Sequence, residues 1–380
     1  MALEERGLCV FCGKKPNERT REHVVPYWLL EMTGNPNRVV TLGQNFEKEK
    51  EPIRFSWASF VAPACKACNN TYAALEHQVK PVVEALQRRE ALPVSAYVIL
   101  LDWLDKVRVG VWLLRHLIEK HPVKITPNFH ISSRIGLKDR MVAIYAFDSQ
   151  NKGINLAGTD SQIFFDMPCC FGLRINDLLL LNVSTDFFCS KGCGLPHPTS
   201  MRHLIGGEND GMLTIDGFAY AAKVHNPITK LKLFKPVVWI YQPIRMRSSD
   251  PVFKGGYFGH SNAFDSRLFE RTLDGQDRQG ALFRQHPDRV EILRDPRELI
   301  KFNEVTGSDC AMQKDIVASV YDLQVSLFRE VKREWIEPKK PTHFDRQYRK
   351  MKLDHTAELA EMYRTFGEHP GSSPGQNKRA

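Results

Sequence analysis

Cys9-Val10-Phe11-Cys12 and Cys65-Lys66-Ala67-Cys68-Asn69-Asn70 are the two stretches that decide how this chain is read. Each contains a C-x2-C pair. Two such pairs supply the four thiolates that surround one tetrahedral structural zinc ion, so the stretches are expected to meet in space. The residues just behind them then come together as well. Arg21-Glu22-His23-Val24-Val25-Pro26 follows the first pair, and Asn69 follows the second directly. Glu22, His23 and Asn69 are thereby drawn into one small volume.

Local chemistry sets the elements around the pairs. Gly13-Lys14-Lys15-Pro16-Asn17 and Gly34-Asn35-Pro36-Asn37 are turn-rich. Pro26 disfavours helix at Val25, which places His23 at the end of a strand. Residues 38–64 alternate strand-like pieces (Val39, Val40, Leu42; then Ile53, Phe55, Trp57) with charge. Asn69 is a candidate cap for a helix carrying Tyr72, Leu75, Val79, Val82 and Val83 on one side, with Pro81 set to kink or end it. A module this small has little core, and metal binding, worth on the order of 10 kcal/mol in short zinc peptides, supplies much of its folding free energy.

The rest of the chain changes texture twice. Val98, Leu101, Leu104, Val107, Val111, Leu114 and Ile118 recur at steps of three and four, predicting one long helix over residues 94–121 that Pro122 stops. Trp103 and Trp112 on it are candidates for the core, with base stacking as the alternative. Met141–Phe147, Gln162–Asp166, Phe171–Ile175, Leu178–Val183 and Val237–Tyr241 are β-branched or aromatic runs broken by Gly, Asn and Asp, which predicts strands. Residues 248–328 mix turns with short helical pieces, Asp315–Phe328 being the most helical. The expected fold class is α+β. A small N-terminal zinc-stapled module (residues 1–93) is joined by the long helix to a larger domain (94–328) with a mostly antiparallel sheet. A basic extension (329–380) follows, ending in a disordered Gly371–Ala380.

The composition narrows the function classes. The chain has 380 residues, 42% hydrophobic and 26% charged, as in soluble globular proteins. It has no apolar run of membrane-spanning length and no signal-peptide pattern, so a cytoplasmic protein without a membrane partner is expected. Nine cysteines in such a chain point to metal ligands and buried thiols before disulfides. The net charge of +9 favours a polyanionic partner, nucleic acid above all, with solubility as the plain alternative. Residues 329–352 hold nine basic and four acidic residues with Trp335, Phe344 and Tyr348 among them, a mix that suits phosphate attraction and base stacking; a solvated helix and linker is the alternative. Cys189, Cys193, His197 and His203 have ligand-like residue types for a second metal, whereas Cys169 and Cys170 read as buried thiols.

C-x2-C, then Glu-His-x-x-Pro, then C-x2-C-Asn resembles the four-cysteine type of HNH (ββα-metal, His-Me finger) endonucleases over about residues 9–80. The resemblance implies a metal-dependent phosphodiester hydrolase. His23 matches the general base, Glu22 and Asn69 match ligands of a catalytic Mg2+ or Mn2+, and Cys9, Cys12, Cys65 and Cys68 match the structural zinc site. Ser59 lies nearest the place of the family's middle Asn, with Asn45 farther back. Asn69, Asn70, Glu76 or His77 stands in for its last His. Glu76, seven residues after Asn69, shares its helix face and is a further candidate ligand, with an ordinary surface glutamate as the alternative. DNA is the substrate expected ahead of RNA, with room for a protein partner. HNH modules joined to a larger unrelated domain resemble nucleases of bacterial defence or mobile elements. The rival is a zinc module that binds nucleic acid or protein without cutting; such a module needs neither Glu-His-x-x-Pro nor the trailing Asn.

Overall fold

The computed structural model describes residues 7–45, 48, 51–119, 127, 129–136, 139–147, 151–185, 188–192, 197–203, 213–219, 236–243, 282–286, 289–302, 310–331 and 342–366. The fold is mixed helix and sheet, and among the described residues every strand pair is antiparallel. Its centre is a sheet of seven strands. In spatial order these are Val290–Leu293, Leu282–Gln285, Val238–Gln242, Asp139–Ala146, Leu178–Thr185, Cys170–Ile175 and Ile154–Ala157. Side chains alternate across a strand, and here both faces are apolar. Val142, Ile144, Leu178, Leu180, Leu173 and Ile240 face one way. Met141, Ala143, Tyr145, Leu179, Leu181 and Tyr241 face the other.

Each face is covered by helices. On one side lies Val94–Ile118, which we call the central helix; on the other lie Cys310–Val331 and His343–Phe366. The central helix is buried on nearly every side, between the sheet and the N-terminal residues. A helix so enclosed is apolar all round, and its few charges must be paired. Trp103 and Trp112 are core residues; the Trp112 indole N–H donates to the Phe165 carbonyl at 2.7 Å. Asp105 is fully enclosed. Arg108 and Arg140 approach it at 2.8 and 3.0 Å, and the Gly136 N–H donates to it at 3.1 Å. Arg115 holds Glu119 at 2.6 Å and donates to the carbonyls of Thr159 and Ser161.

The N-terminal residues build a small antiparallel pair, Arg19–His23 (β1) with Val61–Cys65 (β4). Between them come the helix Tyr27–Met32 (α1), the hairpin of Val39–Asn45 (β2) with Glu51–Ser56 (β3), and a 3-10 turn, Trp57–Ser59. The helix Lys66–Gln87, here α2, follows β4 at once. Phe11, Val24, Leu29, Phe60, Val79 and Val83 join the central helix and the sheet in one continuous core. Gly110 permits this approach, since a Cβ there would lie 2.9 Å from Val24 Cγ1.

Several local expectations are corrected. Gln162–Asp166 is a helix, because the Ser161 side chain caps it by accepting from the Phe164 N–H at 3.0 Å. Lys66–Gln87 runs through Pro81, which faces solvent while Val79, Val82, Val83 and Leu86 pack; that burial outweighs the roughly 3 kcal/mol cost of an internal proline. The cap position is Cys65, so Asn69 sits inside the helix with its side chain turned to β1. Residues 282–300 supply three strands where helical pieces were expected. Cys169 and Cys170 are buried, with Cys170 packed on the helix Cys310–Val331. Among the described residues no helix is long and apolar enough to cross a membrane. Cys193, Trp335 and Gly371–Ala380 lie outside the described residues, as do the side chains of Asn45, Cys189, His197 and His203.

Candidate metal centre and active site

The four cysteines of the two pairs converge, their sulfurs all within 4.8 Å of one another. Zn–S bonds of about 2.3 Å in a tetrahedron separate sulfurs by about 3.8 Å. Cys12 Sγ and Cys65 Sγ are 3.9 Å apart. The backbone makes this possible. Gly13 takes a left-handed φ of 71°, closing the first turn with its N–H on the Cys9 carbonyl at 2.8 Å. The Val10 N–H donates to the Pro63 carbonyl at 2.9 Å, stitching that turn to β4. Cys65 ends β4 and Cys68 stands in the first turn of α2, so strand and helix fix the second pair together. Phe11 stacks on Tyr72 with ring centroids 4.2 Å apart, which holds α2 against the first turn.

The electrostatics of the cluster suit a cation. Burial, with the neighbouring sulfurs adding to it, pushes Cys65 up to about 11 and Cys68 up to about 12. Burial also opposes ionisation of Cys9, but N–H groups of Cys65, Cys12 and Phe11 aimed at it outweigh that and hold its thiol below the usual value. The Cys65 N–H donates to Cys9 Sγ at 3.2 Å. Four closely spaced sulfurs with such donors fit a soft, thiophilic divalent ion such as zinc.

Glu22 and His23 are neighbours on β1 and point to opposite faces. Glu22 is buried. Its Oε1 lies 2.5 Å from Nζ of Lys106 on the central helix, and the same ammonium is paired with Glu76 of α2. Burial pushes the Glu22 carboxyl up, and Lys106 offsets this only in part. His23 is half-buried, edge-on to the Tyr27 ring. Its Nε2 lies 3.2 Å from the Ala58 carbonyl oxygen. A carbonyl only accepts, so Nε2 carries the proton and Nδ1 of the neutral ring keeps the lone pair. Ala58 is itself fixed by its N–H on the Pro36 carbonyl at 2.9 Å. Ser59 is turned to its own turn, donating to the Ser56 carbonyl at 2.8 Å. The ring is therefore oriented by a main-chain carbonyl, and the Ser59 hydroxyl takes no part.

Asn69 reaches back to β1. Its amide nitrogen donates to Thr20 Oγ1 and to the Arg21 carbonyl, both at 3.3 Å, and among the described residues its Oδ1 is left as an open acceptor. Glu76, two turns farther along the same face, joins Glu22 through Lys106, while His77 is exposed. Among the described residues, the four cysteines are the one group of three or more Cys, His, Asp or Glu side chains that could hold a metal. Glu22 is committed to Lys106, so in this arrangement it does not fit as a ligand of Mg2+ or Mn2+. Two contributors escaped the sequence reading. Ala58 acts through its main chain and leaves no signal. Lys106 had one: a charge inside a helix whose apolar residues run all round it.

No family model matches the chain, and neither a curated protein nor a solved structure matches it significantly.

Proposed function

We propose that the chain is an HNH-type endonuclease that hydrolyses phosphodiester bonds in nucleic acid, DNA ahead of RNA, with His23 as general base. The observation that carries this reading is the pairing of His23 Nε2 with the Ala58 carbonyl, on the strand pair whose other end bears the four-cysteine clamp. It leaves Nδ1 as a basic nitrogen on a half-exposed ring, able to take the proton of an attacking water. The antiparallel pair of β1 and β4 followed at once by α2, with the four cysteines gathered at its Arg19/Cys65 end, supports this reading. Zinc holds the clamp, and Asn69 Oδ1 is the open oxygen beside β1. The nucleic-acid partner is supported by the net charge and by the start of the helix His343–Phe366. There Phe344 is 64% exposed and stacked on Tyr348, beside Arg346, Arg349 and Lys350.

One observation favours a second reading. Lys106 already neutralises Glu22, as suits a zinc module that binds without cutting. Zinc-loaded protein incubated with supercoiled plasmid and with RNA, each with Mg2+ or Mn2+, separates the two. Nicked plasmid is the expected product. Intact DNA and RNA under every divalent ion would leave only the binding module.

A further inference from the structure

We propose that Lys106 is a built-in counter-ion that excludes divalent cations from Glu22 and Glu76, so that metal enters there only by expelling the lysine. The inference takes its purpose from the nuclease reading, but its test does not depend on cleavage.

Three features carry it. The ammonium is sealed, with the Lys106 side chain 1% exposed, and it serves Glu22 and Glu76 at once. Its position is not a surface accident. Lys106 leaves the central helix between Asp105, locked by Arg108 and Arg140, and Val107, fully buried in the core. Its ammonium lies 6.0 Å from the centroid of the Phe11 ring, inside the first cysteine turn. Finally, the charges do not allow double occupancy. One ammonium among two carboxylates leaves a local charge of minus one, whereas adding a divalent ion beside it would place like charges in contact within a water-poor pocket. Glu76 is the more exposed of the two carboxylates, at 22%, and opens the side by which the lysine would leave.

The test is Mn2+ binding to zinc-loaded full-length protein, read by electron paramagnetic resonance of the free ion. Lys106→Met is expected to bind one Mn2+ about tenfold or more tightly than the wild type, because like-charge contact costs several kcal/mol and the variant has none. Adding Glu22→Gln to Lys106→Met is expected to abolish that gain. Equal affinity of wild type and Lys106→Met overturns the proposal, as does a gain that survives Glu22→Gln. Should Lys106→Met unfold in metal-free buffer, thermal melts decide instead. Recovery with Mn2+ but not with Na+ at equal ionic strength supports the proposal, and identical melts in the two salts overturn it. A Mn2+ shift without any nicking would sink the nuclease reading and leave this one standing. Nicking by the wild type with equal Mn2+ affinities would do the reverse.

Discussion

Replacing Cys65 and Cys68 together by serine is expected to abolish zinc binding and unfold the N-terminal strand pair. The clamp joins residues that the chain separates widely, and it ties the first turn to the junction of β4 and α2. Structural zinc is worth on the order of 10 kcal/mol in isolated finger peptides, comparable with the whole stability of a typical domain. Here the loss is softened, because Phe11, Val24 and Leu29 are also buried in the core shared with the central helix. The expected signature is therefore regional. Zinc content falls from about one per chain to none, amides of β1 and β4 lose exchange protection, and those of the strands Asp139–Ala146 and Leu178–Thr185 keep theirs. Unchanged zinc content and unchanged protection in the double variant would remove the clamp from the account.

Asp105→Asn is expected to cost about 3–5 kcal/mol in global stability at neutral pH, the usual penalty for stripping one partner from a buried ion pair. Burial alone would raise this carboxyl. The charges of Arg108, Arg140 and Arg134 and the Gly136 N–H outweigh burial and hold it below the ordinary carboxylate range. The sign follows from that direction. The unfolded chain binds the proton more tightly, so the stabilisation is fully present above the ordinary carboxylate value of about 4 and is lost as pH falls through the lower folded value. Denaturant titrations of wild type and variant should differ most near neutrality and converge in acid. A gap that stays constant down to strongly acidic pH would contradict this account of the cluster.

What the sequence revealed, and what it hid, divides along physical lines. The cysteine pairs were legible because metal ligation demands fixed residue types at fixed spacing, and the four sulfurs do converge. The sheet strands Asp139–Ala146, Cys170–Ile175, Leu178–Thr185 and Val238–Gln242 were legible as β-branched and aromatic runs. Gln162–Asp166 misled for the same reason: its apolar residues fit either element, and a single Ser161 hydroxyl decided for helix. The central helix announced itself by its period, but one face was read where nearly all faces are buried. The tie from Lys106 to Glu22 and Glu76 stayed hidden. That tie joins three distant segments of the chain, and no local pattern encodes it. The Ala58 carbonyl is invisible for a different reason, since every residue has one.

The central claim is that the clamp presents His23 as a base with its proton fixed on Nε2. Initial rates of plasmid nicking by zinc-loaded wild type and His23→Ala, with zinc content measured on the same samples, test it most directly. General-base catalysis contributes about 10²- to 10⁴-fold, so His23→Ala should lose that much of the rate while retaining the wild-type zinc content. Equal nicking by both proteins, at equal zinc content, would contradict it.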